Sequence, residues 1–203
     1  MKGIYLAAFI AYQENFDIVY QDINGKRDLG GDMLDINLDP YDYIIATPPC
    51  NYWSRANYRR ETSTYAQQTK HLLPQILHKL IRSGKPFIVE NVKGHKRFKE
   101  YGLFDLPIYT YTIGRHVYWT NIPFYHDDLK FDYSFVAHVT ASKRQGGQEV
   151  HDVIQRWLLT LYTLIETKML CLYKFAFKCL AADYKKRFAI DSRDHILKVT
   201  HQQ

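Results

Sequence analysis

The chain has 203 residues, 46% hydrophobic and 24% charged, with a net charge of +6 and a sequence pI of about 9.1. That balance excludes a disordered or fibrous chain and fits one globular domain with a substantial core. Three cysteines (Cys50, Cys171, Cys179) without a CxxC pair exclude a disulfide scaffold and a zinc module, and no apolar run is long enough to span a membrane. The expectation is therefore a cytoplasmic, intracellular protein with no metal site and no membrane partner. The basic balance suits a polyanion such as DNA, and equally an ordinary basic protein.

In chain order, residues 3–10 read as a buried strand rather than a leader, because Gln13-Glu14-Asn15 interrupts the apolar run and no small-residue cleavage pattern follows. Residues 16–23 read as a second strand ending in an acid, Asp22. In nucleotide-binding α/β units an acid at such a strand end hydrogen-bonds ribose hydroxyls; the alternative is a solvated carboxylate. Gly30-Gly31-Asp32 reads as a turn, in which Asp32 is also suited to cap a helix. Tyr43-Ile44-Ile45-Ala46 is an apolar run that breaks at Thr47-Pro48-Pro49-Cys50-Asn51-Tyr52-Trp53-Ser54. The loop onward to Arg60 mixes Arg55, Arg59 and Arg60 with aromatics, which suits phosphate and base contact or simply an exposed basic loop.

Residues 62–82 carry apolar side chains at helical spacing, with a break expected near Leu73 from Pro74 and an end at Ser83-Gly84-Lys85-Pro86. His71 and His78 read as surface residues. Pro86-Phe87-Ile88-Val89 is a further apolar run, breaking at Glu90-Asn91-Val92, and a basic turn follows over residues 93–99. Residues 113–121 read as one strand bearing Arg115. Residues 126–149 read as a short polar loop region, and 150–190 as C-terminal helices in which Cys171 and Cys179 fill the core. A polar tail starts at Asp191. The whole is expected to be a single domain over 1–203, with an α/β core over 1–125.

Two apolar runs joined by one helical segment make a strand–loop–helix–strand unit. In a parallel sheet this puts Cys50 and Glu90 on the same rim, where open α/β sheets bind ligands. A thiolate is the strongest protein nucleophile near neutral pH, given a lowered pKa or nearby positive charge. A carboxylic acid facing it, kept protonated by burial, donates to a ring nitrogen. Attack at C6 of a pyrimidine with protonation at N3 makes C5 nucleophilic. Pro48-Pro49-Cys50 followed by Trp53-Ser54, with Glu90-Asn91-Val92 downstream, resembles the nucleophile and acid motifs of the DNA cytosine-5 methyltransferase family.

The resemblance implies a Rossmann-like S-adenosylmethionine-dependent methyltransferase fold, mainly a parallel sheet with helices on both faces and a helical C-terminal segment. It implies Cys50 as nucleophile, Glu90 as acid and Arg115 as the base-contacting arginine, although the family usually shows a pair of arginines there. It assigns Asp22, Asp32 and Pro48 to S-adenosylmethionine, and Ser54, Arg55, Arg59, Arg60 and Asn91 to DNA. The ends of the chain depart from the family. Residues 7–14 hold no glycine where the family has a glycine-rich turn, and the first two strands stand too close for a crossover helix, which needs about a dozen residues. The region expected to read the target sequence is short. Sequence readout is then minimal or lent by a partner subunit or a second copy. Two other readings remain open: a degenerate homologue that binds DNA or a partner subunit without catalysis, and thiolate chemistry on a free nucleotide or with another one-carbon donor.

Overall fold

Residues Tyr43–Ala46 (β3) are buried at all four positions, as befits a strand covered on both faces. The computed structural model describes residues 2–6, 17–93, 96–131, 139–167, 169, 178–179 and 182–184. The other strands are Lys2–Leu6 (β1), Asp17–Gln21 (β2), Phe87–Val92 (β4), Tyr109–Ile113 (β5) and His116–Thr120 (β6). They form a six-stranded sheet in the order β2-β1-β3-β4-β6-β5. The β1–β2, β1–β3 and β3–β4 pairs are parallel, and β4–β6 and β5–β6 are antiparallel. This mixed α/β sheet is compatible with a methyltransferase fold. The chain steps from β1 outward to β2 and then back to β3 on the other side of β1, so a topological switch lies between β1 and β3.

Period-two alternation splits the sheet into two faces. Ile44, Ala46, Phe87, Val89, Val117 and Trp119 pack on one side with Leu73, Ile76, Leu77 and Leu80 of Leu72–Ser83 (α2). Tyr43, Ile45, Ile88 and Tyr118 pack on the other with Val150, Val153, Ile154, Trp157 and Leu161 of Val139–Glu166 (α4). Helices therefore cover both faces, as expected. The indole of Trp157 donates to Thr120 Oγ1 at 2.9 Å, and that hydroxyl donates to the Phe87 carbonyl at 2.6 Å, which ties α4 to the middle of the sheet.

Five expectations are corrected. The single strand over 113–121 is a hairpin, because Gly114 takes φ 55 and turns the chain so that Ile113 pairs with His116. Residues 139–149 are helical rather than loop, since α4 begins at Val139. The helical segment 62–82 is two helices, Thr64–Thr69 (α1) and α2, with the break at Lys70 and His71 instead of Leu73. The Pro74 ring would strike the carbonyl four residues back, at Lys70, while its missing N–H costs nothing in the first turn of α2. His78 is half-buried against the Tyr184 hydroxyl, not on the surface, and Cys179 is exposed, not core. Cys171, the tail and the connection over 7–16 lie outside the described residues. Of the strand expected over residues 3–10, residues 3–6 lie in β1 and residues 7–10 lie outside the described residues.

Residues 33–41 have no strand or helix, yet they are fixed. Lys79 donates to the carbonyls of Met33, Leu34 and Ile36 at 3.3, 2.6 and 2.6 Å. Lys85 donates to those of Leu38 and Asp39 at 2.8 and 2.7 Å, and to that of Tyr41. No helix among the described residues is long and apolar enough to cross a membrane.

Candidate active site

The loop that leaves β3 is joined to the end of β4 by one buried hydrogen bond. Asn91, 1% exposed, donates from Nδ2 to the Pro48 carbonyl at 2.9 Å and accepts the Val92 N–H at 3.1 Å. The Pro-Pro-Cys and Glu-Asn-Val signatures are thus one structural unit. Asn91, expected among the DNA contacts, is buried in that unit and holds the loop. Just beyond Pro48, the Cys50 carbonyl accepts the N–H groups of Trp53 and Ser54 at 3.0 and 2.8 Å, a tight turn that leaves the thiol half-buried.

Alternation along β4 sends Asn91 to the α2 side and Glu90 to the α4 side, beside Tyr118 of β6. Burial pushes the Glu90 carboxyl up to about 7, opposed by the nearby His116 and reinforced by the charge of Glu149. Burial also raises the Cys50 thiol, with the Glu90 charge adding to the rise and a backbone hydrogen bond opposing it. The two side chains share one electrostatic environment. Nucleophilic attack calls for a lowered thiol pKa; here burial first and the Glu90 charge second act in the opposite direction.

Arg115 was expected on a strand next to the active site, as the arginine that contacts the base. Arg115 stands in the β5–β6 turn, where its backbone N–H donates to both carboxylate oxygens of Glu149, at 3.0 and 3.2 Å. The next residue is the one beside Glu90: His116 Nε2 lies 3.7 Å from Glu90 Oε1, and its Nδ1 lies 2.6 Å from Glu149 Oε1. Sequence reasoning missed both His116 and Glu149. An imidazole next to Arg115 was visible, but nothing local marks Glu149 of α4 as its neighbour.

The loop after Cys50 is anchored at both ends. Tyr52 and Trp53 are buried among Phe98, Tyr101 and Trp119, with ring centroids 5.1 Å apart for Tyr52–Trp53 and 5.2 Å for Trp53–Phe98. Arg97 of Lys96–Glu100 (α3) lies over the Tyr52 ring at 4.9 Å and pairs with Glu61. Between these anchors Arg55, Tyr58 and Arg59 are exposed, Tyr58 to 90%, and Ser54 is half-buried with its hydroxyl accepting the Ala56 N–H. Arg60 turns inward: its guanidinium donates to the carbonyls of Asn57 and Arg55 at 2.8 and 3.2 Å, so it braces the loop.

The ends of β1, β2 and β3 reach one rim together, since Leu6 pairs with both Gln21 and Ala46. Asp22 follows on that rim, its Oδ1 accepting the Asn24 N–H at 2.7 Å. Asp32 likewise closes a local turn, accepting from Leu34 N–H at 2.9 Å, and no helix follows for it to cap. No cluster of three metal-ligating side chains occurs among the described residues.

No curated protein matches the chain. The sequence pattern of the family described as C-5 cytosine-specific DNA methylase matches residues 3–110, a stretch that holds Cys50, Glu90 and the Asn91–Pro48 tie but stops short of His116 and Glu149. That match spans more than half of the chain, and the protein belongs to the C-5 cytosine-specific DNA methylase family.

Proposed function

We propose that this chain methylates C5 of cytosine in DNA through a covalent adduct to Cys50, with Glu90 as the acid at N3. The observation that carries the reading is the Asn91–Pro48 hydrogen bond, which binds the two motif segments together at one rim of the sheet. The target base must leave the duplex to meet a half-buried thiol. The Cys50 thiol gives its proton to water and its sulfur bonds to C6 while the Glu90 proton passes to N3, and the electron pair collects at C5. After C5 takes the methyl group it loses its proton to water, the S–C6 bond breaks, and N3 returns its proton to Glu90. Glu90 near pH 7 is well matched to this exchange, since the best acid–base groups titrate near the working pH.

C-5 DNA methylases use S-adenosylmethionine, which supplies an electrophilic methyl group when bound. The rim suits that group: Asp22 would hold the ribose hydroxyls through the oxygen not engaged with Asn24, Asp32 would face the adenine, and Pro48 would wall the site. Arg55, Arg59 and Ser54 are the proposed DNA contacts, with Arg60 supporting them from within the loop and Arg115 adding positive charge at the hairpin turn. The test is transfer of labelled methyl to DNA and trapping of an adduct on 5-fluorocytosine DNA. Cys50→Ser should abolish both. No transfer and no adduct from well-folded parent protein would overturn the proposal.

A second reading, a homologue that binds DNA or a partner subunit without catalysis, is favoured by the raised Cys50 thiol and by the lack of glycine over residues 7–14. Calorimetry separates the two, because clear binding of S-adenosylmethionine contradicts the second.

A further inference from the structure

Glu149 is the most deeply placed carboxylate of the described chain, with its side chain 0% exposed, and a buried carboxylate is costly unless its lone pairs are filled. Its partners are the backbone N–H of Arg115 and the Nδ1 of His116. A carboxylate on Nδ1 fixes which way the imidazole faces and favours a proton on that nitrogen. The ring is thereby turned so that Nε2 points at Glu90, whose side chain is 13% exposed. Glu90 of β4, His116 of β6 and Glu149 of α4 form a line of acid, imidazole and acid that ends at the rim holding Cys50.

We infer that His116, oriented by Glu149, is a positioning residue that holds the Glu90 carboxyl at the pyrimidine and governs its charge. This rests on the methylation reading for its chemistry, but the geometry is independent of it. At 3.7 Å the imidazole and carboxyl attract without a direct hydrogen bond, so Glu90 keeps its own proton for N3 while the cation limits how strongly burial holds it. The charged groups acting on His116 are Glu149 and Glu90, which favour its protonation, and Arg115, which disfavours it. Glu90 in turn faces His116, Glu149 and Cys50.

Two measurements test the inference. In the first, the pH profile of methyl transfer is compared between parent and His116→Asn. Without the imidazolium, Glu90 keeps its proton to higher pH, and the basic limb should move up by about 1 pH unit. Superimposable profiles would overturn the role. In the second, the His116 ring nitrogens are titrated by NMR in ligand-free Cys50→Ser protein. Adding Glu90→Gln should lower the His116 midpoint, and adding Glu149→Gln should lower it further and weaken the preference for a proton on Nδ1. Midpoints that stay put in the Glu90→Gln protein, a near-isosteric change on the half-buried partner, would sink the inference. This arm needs no turnover, so a protein that does not methylate DNA leaves the inference decidable.

Discussion

Glu90 acts on Cys50 in two opposing ways, and its proton decides between them. Ionised, it repels a thiolate and keeps the sulfur protonated; neutral, it frees the thiol and, in the proposed reaction, donates at N3. Glu90→Gln should therefore speed alkylation of Cys50 by iodoacetamide at pH 8 several-fold, followed by mass spectrometry of the Cys50 peptide, while it lowers transfer by a factor of about 100 or more. Unchanged alkylation would separate the two residues electrically. Asn91→Ala should cost about 1–3 kcal/mol in urea unfolding, because the buried Pro48 carbonyl loses its donor. Cys50 and Glu90 were legible in the sequence because each sits beside an uncommon motif. For Asn91 and Arg60, residue type suggests what a side chain offers to a ligand, but not that backbone carbonyls of Pro48, Asn57 and Arg55 also engage it.

Among the elements, β3, β4 and α2 were readable because each depends on local pattern: a run buried on both faces, or apolar residues at helical spacing. The hairpin was not. Residues 109–113 alternate Tyr and Thr, a strand signal in hindsight, but Gly114-Arg115 passed for strand interior and hid the reversal. The loop over 33–41 also depends on distant partners, the ammonium groups of Lys79 and Lys85, each ringed by three carbonyls. Lys85→Met keeps the length of the side chain and removes its donors. It should lower stability by about 1.5–3 kcal/mol and open residues 38–41 to limited proteolysis. Proteolysis at the parental rate would show that the loop holds itself.

Across the whole molecule, folding keeps Glu90 and His116 protonated to higher pH than an unfolded chain would. Their contribution is intact below the ordinary carboxylate range, erodes as pH rises through about 7 for Glu90, and falls further as His116 loses its proton. Thermal unfolding should accordingly show a lower Tm at pH 9 than at pH 6, with a smaller drop in Glu90→Gln; an equal drop in both would place the titration elsewhere. Trp157→Ala should cost about 3–5 kcal/mol, since that ring fills the α4 face and bonds Thr120. The two-faced architecture was foreseen, while the α4 contribution to the site was not, because Glu149 lies far along the chain from every residue it serves. That distance bears on biosynthesis. A ribosome delivers Cys50 and Glu90 well before Glu149, so a nascent chain displays thiol and acid while the imidazole still lacks its anchor. The orientation of His116 toward Glu90 then arrives late, once α4 has docked.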